Sequence, residues 1–361
     1  MRYLDKDAIE DIALGASFFG AGGGGNPYMG KLMAMQAVDE FGPIKLLEPD
    51  EIDDDDWYCP VAIMGAPAVM MEKFPKGDEF GRVLDKLEAC TGHHFTGTFP
   101  MEAGGVNSMV PLTLAATRQI PLVDCDGMGR AFPELQMCTF HLGGVSTTPM
   151  AITDEKGNAG VIETISAKWA ERLARVQTVE MGGSATVSLY PANGKQIKQN
   201  GISGIVTQCQ QVGRSIRLAH NDPEAALKNL LDATDGHFIF EGKVTDLLRT
   251  TKGGFNVGDI HIAGFNDFQE SELVVTIQNE NLFAARDGKP VTMAPDLIII
   301  LDAETLTPIT TEMIKYGKRV KVVATPANDK WRTKAGIEVA GPRYFGFDYD
   351  YVPVEELLKE D

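Results

Sequence analysis

HFIFEGKVTDLLRTTKGGFNVGDIHIAGF, residues 237–265, breaks with everything before it. Apolar residues stop recurring at helical spacing and gather in short runs rich in β-branched and aromatic side chains, separated by Gly and Asp. The texture continues downstream in runs at 238–240, 260–263, 273–277, 297–301 and 320–324, which alternate with Gly, Asp and Pro turns. Such a tail is expected to fold as a largely β domain of sandwich or barrel type.

Upstream the pattern differs. Residues 5–19 put Ile9, Ile12, Ala13, Ala16 and Phe19 on one helical face. The glycines from Gly20 to Gly25 stop that helix, and Asn26-Pro27 opens a second that runs to about Val38. Runs at 44–47 and 61–64 read as strands, and Phe80, Val83, Leu84 and Leu87 mark another helix. A further helix is expected from Asn107 or Ser108, with Pro111 in its first turn, feeding a strand at 121–125. This strand–helix–strand rhythm is the mark of a layered α/β domain. Ile162, Ile165, Trp169, Leu173 and Val176 then trace a long helix, and Asp222-Pro223 opens one more. The expected organisation is an α/β N-terminal domain, residues 1–165, followed by a mainly β C-terminal domain with leading helices, residues 166–361: α+β overall.

The chain carries 33 basic against 51 acidic side chains, a formal charge of -18. That surface repels phosphate backbones and anionic membranes, so a small-molecule substrate is expected and nucleic acid and membrane are not. No run approaches the ~18 consecutive apolar residues of a membrane span. Asp5, Asp7, Glu10 and Asp11 are the reverse of a signal peptide's basic start. Five cysteines, an odd number spread widely, fit the reduced thiols of a cytoplasmic protein.

Candidate chemistry gathers at four places. The first is GAGGGGNPY, residues 20–28, where Gly22, Gly23, Gly24 and Gly25 can present backbone amides to an anion or a developing oxyanion. Gly20, Gly22 and Gly25 also fit G-x-G-x-x-G, and Glu48 ends a strand downstream. The segment before the loop has helical spacing, however, so a nicotinamide cofactor is not expected. The second is VDCDGMGR, residues 123–130, with Glu134 close behind. Asp124 and Asp126 fall on one side of an extended strand, where they can hold a divalent cation or split their pKa values so that one becomes a base. The alternative is an Asp-Gly turn in which Asp124 caps backbone amides. The third is EAGGVN, residues 102–107, where Glu102 beside a Gly-Gly turn can accept a proton, or can serve a helix start capped by Asn107. The fourth is a pair of Cys-x-x-His motifs, at Cys90 and Cys138, whose spacing favours structural roles over zinc. His220, His237 and His261 stand apart from other ligand types, the run from Asp53 to Asp56 reads as a solvated loop, and no G-x-S-x-G elbow occurs.

With GAGGGGNPYMG at 20–30, Gly65-Ala66-Pro67 followed by Glu72-Lys73, EAGGVN at 102–107, VDCDGMGRAFPE at 123–134 and the late segments 295–322 and 341–346, the chain resembles the S-methyl thiohydantoin desulfurase-like family along nearly its whole length. The resemblance implies an α/β domain followed by a mainly β domain, hydrolysis of a five-membered cyclic amide or thioamide, and association with hydantoinase/oxoprolinase subunits. The expected reaction is hydrolysis at a ring carbon of a hydantoin-like compound. A carboxylate from Asp124, Asp126 or Glu102 would activate water, and Arg130 with the Gly22 to Gly25 amides would hold the tetrahedral intermediate. An S-methyl group would leave as thiol. Asn26, Asn107 and Glu134 are the expected substrate contacts, at a site near the domain junction. The rival readings are a non-catalytic partner subunit of a hydantoinase-type assembly and a nicotinamide-dependent oxidoreductase. As partners, further copies of the chain or a hydantoinase-type subunit are expected.

Overall fold

Asp5 starts the first helix as its position predicts. Its carboxylate accepts the Ala8 N–H at 2.9 Å, and the helix Lys6–Phe19 runs from there to Gly20. The computed structural model describes residues 1–65, 69, 73, 75–219, 222–252 and 255–359, so Ala66, Pro67, Glu72 and His220 lie outside the described residues.

Four small sheets build the N-terminal part, the smallest pairing Ile202–Ser203 with Cys125–Asp126. One orders Arg2–Leu4, Ile44–Leu47 and Leu122–Val123, the last pairing parallel. A four-stranded antiparallel sheet orders Val61–Gly65, Ser184–Ser188, Met150–Thr153 and Ala159–Ile162. A third joins Ala192–Asn193, Trp57–Tyr58 and Phe95–Gly97. Residues 184–193 therefore pair with strands that precede residue 165, and the helix Ile205–Arg217 packs with the first helix in one core. The mainly β sheet begins only at His237.

That sheet has seven antiparallel strands, in the order Lys289–Met293, Glu280–Arg286, Glu272–Gln278, Phe255–Gly264, His237–Lys252, Arg319–Thr325 and Leu297–Asp302. The unbroken apolar run at 297–301 follows from burial on both faces. Leu297, Ile299 and Leu301 join the core of the N-terminal helices, while Ile298 and Ile300 join the sheet's own core. The N-terminal part is thus mixed α/β and the C-terminal part is an antiparallel sheet, α+β overall.

Two expectations shift. The helix expected from Asn107 starts at Gly105 and runs to Arg118, so Pro111 lies in its second turn. The apolar stripe of the helix Ala167–Glu180 faces outward. Trp169 and Val176 are exposed, whereas Ala167, Ala170 and Ala174 are buried, because small side chains let this helix lie close on the sheet.

Candidate active site

The glycine loop is where the two parts of the chain meet. The Ala21, Gly22 and Gly24 carbonyls each accept at 2.8 Å, from the N–H groups of Asn281, Thr311 and Val106. The first two donors belong to the C-terminal part and the third to the first turn of the helix Gly105–Arg118. The Gly23 N–H is committed to Gly20 at 2.8 Å. Those of Gly22, Gly24 and Gly25 meet no acceptor among the described residues. Helices flank the loop on both sides, so the strand that a dinucleotide fingerprint requires is not there.

Two of these glycines are dictated by close approach. A Cβ at Gly23 would overlap the Glu280 carboxylate. Gly24 has φ 72°, and a Cβ there would sit 2.5 Å from the Gly104 Cα.

Gly24, Gly25, Glu102, Asn107, Glu134 and Glu280 line a cavity of ≈ 90 Å³. Glu102 is held at both oxygens: Oε1 accepts from Asn107 Nδ2 at 2.7 Å and Oε2 from the Phe132 N–H at 3.2 Å. Burial dominates over those hydrogen bonds and over the Arg130 charge, and pushes its pKa up to about 7. Asn107 in turn accepts the Ile63 N–H at 2.7 Å, which fixes its amide orientation and so aims Glu102. Glu280 is buried, its Oε2 has no hydrogen-bond partner, and burial plus the neighbouring Glu102 raise its pKa well above the carboxylate range. A carboxylate whose pKa is pushed up to about 7 thus faces the same cavity as one that burial and its neighbour push toward the protonated form.

Arg130 is fully buried beside this pair. Its guanidinium donates to the carbonyls of Ala131, Pro295, Asp296 and Asn281 at 2.8–3.2 Å. It therefore ties the N-terminal part to the C-terminal sheet and places positive charge behind Glu102 and Glu280, without lining the cavity. Arg175 does line it, pairing with Glu171 at 2.5 Å and lying over the Phe255 ring at 4.4 Å.

The remaining residues singled out from sequence have other partners. Asp124 caps the helix Ile205–Arg217, accepting from Val206 N at 2.8 Å, Thr207 N at 3.2 Å and the Thr207 hydroxyl. Asp126 turns the other way, accepting the Gly129 N–H at 2.9 and 2.8 Å on its two oxygens. The pair does not converge, because the strand breaks at Asp124, between Leu122–Val123 and Cys125–Asp126. Glu134 lines the cavity while accepting from Tyr344 Oη at 2.9 Å and from Gln136. Asn26 accepts the Tyr28 N–H at 2.9 Å at the start of the second helix. No group of three or more His, Cys, Asp or Glu among the described residues is disposed to hold a metal ion. His93 instead stacks on Trp57, and Cys138 is buried. None of the described helices is long and apolar enough to cross a membrane.

Glu280 escapes a reading of the sequence because QNEN, residues 278–281, looks like any polar turn between two strands. Asn279 does make that turn, with φ 61°. What marks Glu280 is its burial, which only the fold creates.

A crystal structure of a protein from Chromobacterium violaceum has the same fold, with a TM-score of 0.80 over 98% of this chain and 100% of that one, at 21% identity. No curated protein matches the chain. The sequence signature described as "S-Me-THD-like, N-terminal domain" matches residues 7–164, and "S-Me-THD-like, C-terminal domain" matches residues 165–354. The pieces that build the cavity come from both matched segments, Glu102 from the first and Glu280 from the second, and the chain belongs to the S-Me-THD-like family.

Proposed function

We propose that this chain is a hydrolase acting on an S-methyl thiohydantoin-like ring, with Glu102 as general base and Glu280 as general acid. The observation that carries the reading is that two buried carboxylates line one cavity, Glu102 held by Asn107 and the Phe132 N–H and Glu280 with an unpartnered oxygen. Ionised Glu102 takes a proton from water as its oxygen bonds to the ring carbon that bears sulfur. The C=N π pair moves onto the ring nitrogen, which the acceptor-free amides of Gly24 and Gly25 stabilise. When the tetrahedral intermediate collapses, the carbon–sulfur bond breaks and Glu280 protonates the departing methanethiolate. The ring nitrogen takes the proton that Glu102 holds, and the hydroxyl proton passes to Glu280 as the carbonyl forms, so both carboxyls return to their starting states. Water plus S-methyl thiohydantoin thus gives hydantoin plus methanethiol, with no oxidant or reductant. Arg130 limits the cost of negative charge on either carboxylate. Asp124 and Asp126 hold the scaffold in this scheme, since main-chain N–H groups and the Thr207 hydroxyl occupy their oxygens.

The test is thiol release from S-methyl thiohydantoin by the purified chain. Turnover that falls by about 10²–10⁴ in Glu102→Gln, with folding intact, is the expected result. Absence of thiol release by the wild-type chain would count for the non-catalytic partner subunit instead.

A further inference from the structure

A second cavity of ≈ 220 Å³ lies directly behind the first. The same three segments line both, through adjacent residues. Gly25 faces the carboxylate cavity and Asn26 the second; Asn107 faces the first and Val106 the second; Ile63 borders both. The two cavities therefore adjoin along the loop, the helix and the strand.

The chemistry of the second cavity is the opposite of the first. Met29, Met33, Ile63, Phe80, Val106 and Val110 supply an apolar lining. Its charged groups are already engaged with protein. Lys73 donates to the Met181 and Ser184 carbonyls at 2.6 and 2.9 Å and pairs with Glu155 at 2.8 Å. Glu79 accepts the Lys76 and Gly77 N–H groups at 3.0 and 2.8 Å, and Asp154 accepts those of Lys156 and Asn158 at 3.0 and 2.8 Å. A ligand entering here exchanges water for apolar contact and gains nothing from a charge of its own. At ≈ 220 Å³ the space exceeds the ~150 Å³ engineered cavity that binds benzene.

We propose that this cavity is the subsite for an apolar arm of the substrate, the size of a benzyl or indolylmethyl group, carried on ring carbon 5, away from the sulfur-bearing carbon that water attacks. The substrate class is then a hydantoin-type ring derived from a large apolar or aromatic amino acid. This rests on the reaction proposed above. Asn107 sits where ring and arm part, joining Glu102 on one side to the Ile63 main chain on the other. A seated arm therefore fixes the ring against the base.

The test compares kcat/KM for S-methyl thiohydantoin rings with and without a 5-benzyl group, in wild type, Met33→Trp and Val110→Phe, alongside calorimetric titration with indole. Met33 is half-buried at the rim, so the larger side chain fills the cavity without disturbing the carboxylates. Wild type is expected to prefer the benzyl ring by about tenfold or more, the worth of an apolar group in a fitted pocket. Met33→Trp should lose that preference and keep its turnover of the bare ring. Indole should bind wild type and not Met33→Trp. Equal kcat/KM on the two rings in wild type, or a preference unchanged in both variants, overturns the subsite. If neither ring is hydrolysed, the reaction reading fails separately and indole decides: binding lost in Met33→Trp sustains an apolar-ligand cavity, and no binding to wild type rejects it.

Discussion

Two acidic, glycine-flanked turns stand 20-odd residues apart and look alike as sequence, EAGGVN at 102–107 and VDCDGMGR at 123–130, yet the fold gives their carboxylates opposite work. Asp124 and Asp126 are both fully buried, and each of their oxygens is taken by the protein: Asp124 by two N–H groups and the Thr207 hydroxyl at a helix start, Asp126 by the Gly129 N–H in a tight turn. Glu102 is also buried but opens on a cavity, held by one side-chain amide and one N–H, opposite a Glu280 that keeps an unpartnered oxygen. Burial alone does not separate the two turns. What separates them is whether the remaining lone pairs face protein or space.

The sharpest break in that comparison comes from removing one carboxylate of each kind. Glu280→Gln should cut kcat by about 10²–10⁴ with little loss of folding stability, since it removes an acid whose proton no protein group accepts. Asp124→Ala should do the reverse. It strands the Val206 and Thr207 donors and is expected to cost about 2–3 kcal/mol of stability, with turnover per folded molecule unchanged. Chemical denaturation and kinetics on the same preparations separate the two patterns.

The glycine loop sharpens the comparison with smaller effects. Gly23→Ala puts a methyl group against the Glu280 carboxylate at a position with no positive φ, so it should displace the acid and slow turnover by about tenfold at a modest stability cost. Gly24→Ala differs, because φ 72° and the 2.5 Å approach to Gly104 strain the backbone whatever the ligand does. It should lower the melting temperature, by about 1–3 kcal/mol of stability, as well as activity.

Much of this was legible in the residues. The helix from Asp5, the strands at 44–47 and 61–64, and the change of texture at His237 follow from periodicity and capping, which are local. The glycine loop and Glu102 announced themselves because five glycines in six residues and a carboxylate on a Gly-Gly turn are chemically unusual. Pairing was not legible. Nothing in residues 184–193 says that they return to strands as early as Trp57–Tyr58 and Val61–Gly65, and the outward stripe of the helix Ala167–Glu180 imitates a core face. Glu280 was hidden for the same reason, since its burial comes from a loop some 250 residues away in the chain.

The pH dependence of kcat/KM tests the central claim most directly. Glu102 must be ionised to act, so the rate should rise as pH passes through about 7 and fall again only when Glu280 loses its proton. The sign for stability is opposite. A folded pKa of about 7 against an ordinary 4.5 gives stability that is whole below 4.5 and is lost as pH rises through about 7, a decline that Glu102→Gln should flatten. An ascending limb near pH 7 in wild type that is absent from the residual activity of Glu102→Gln is the result this account predicts. An ascending limb at pH 4–5, or one near pH 7 that survives in Glu102→Gln, would contradict it.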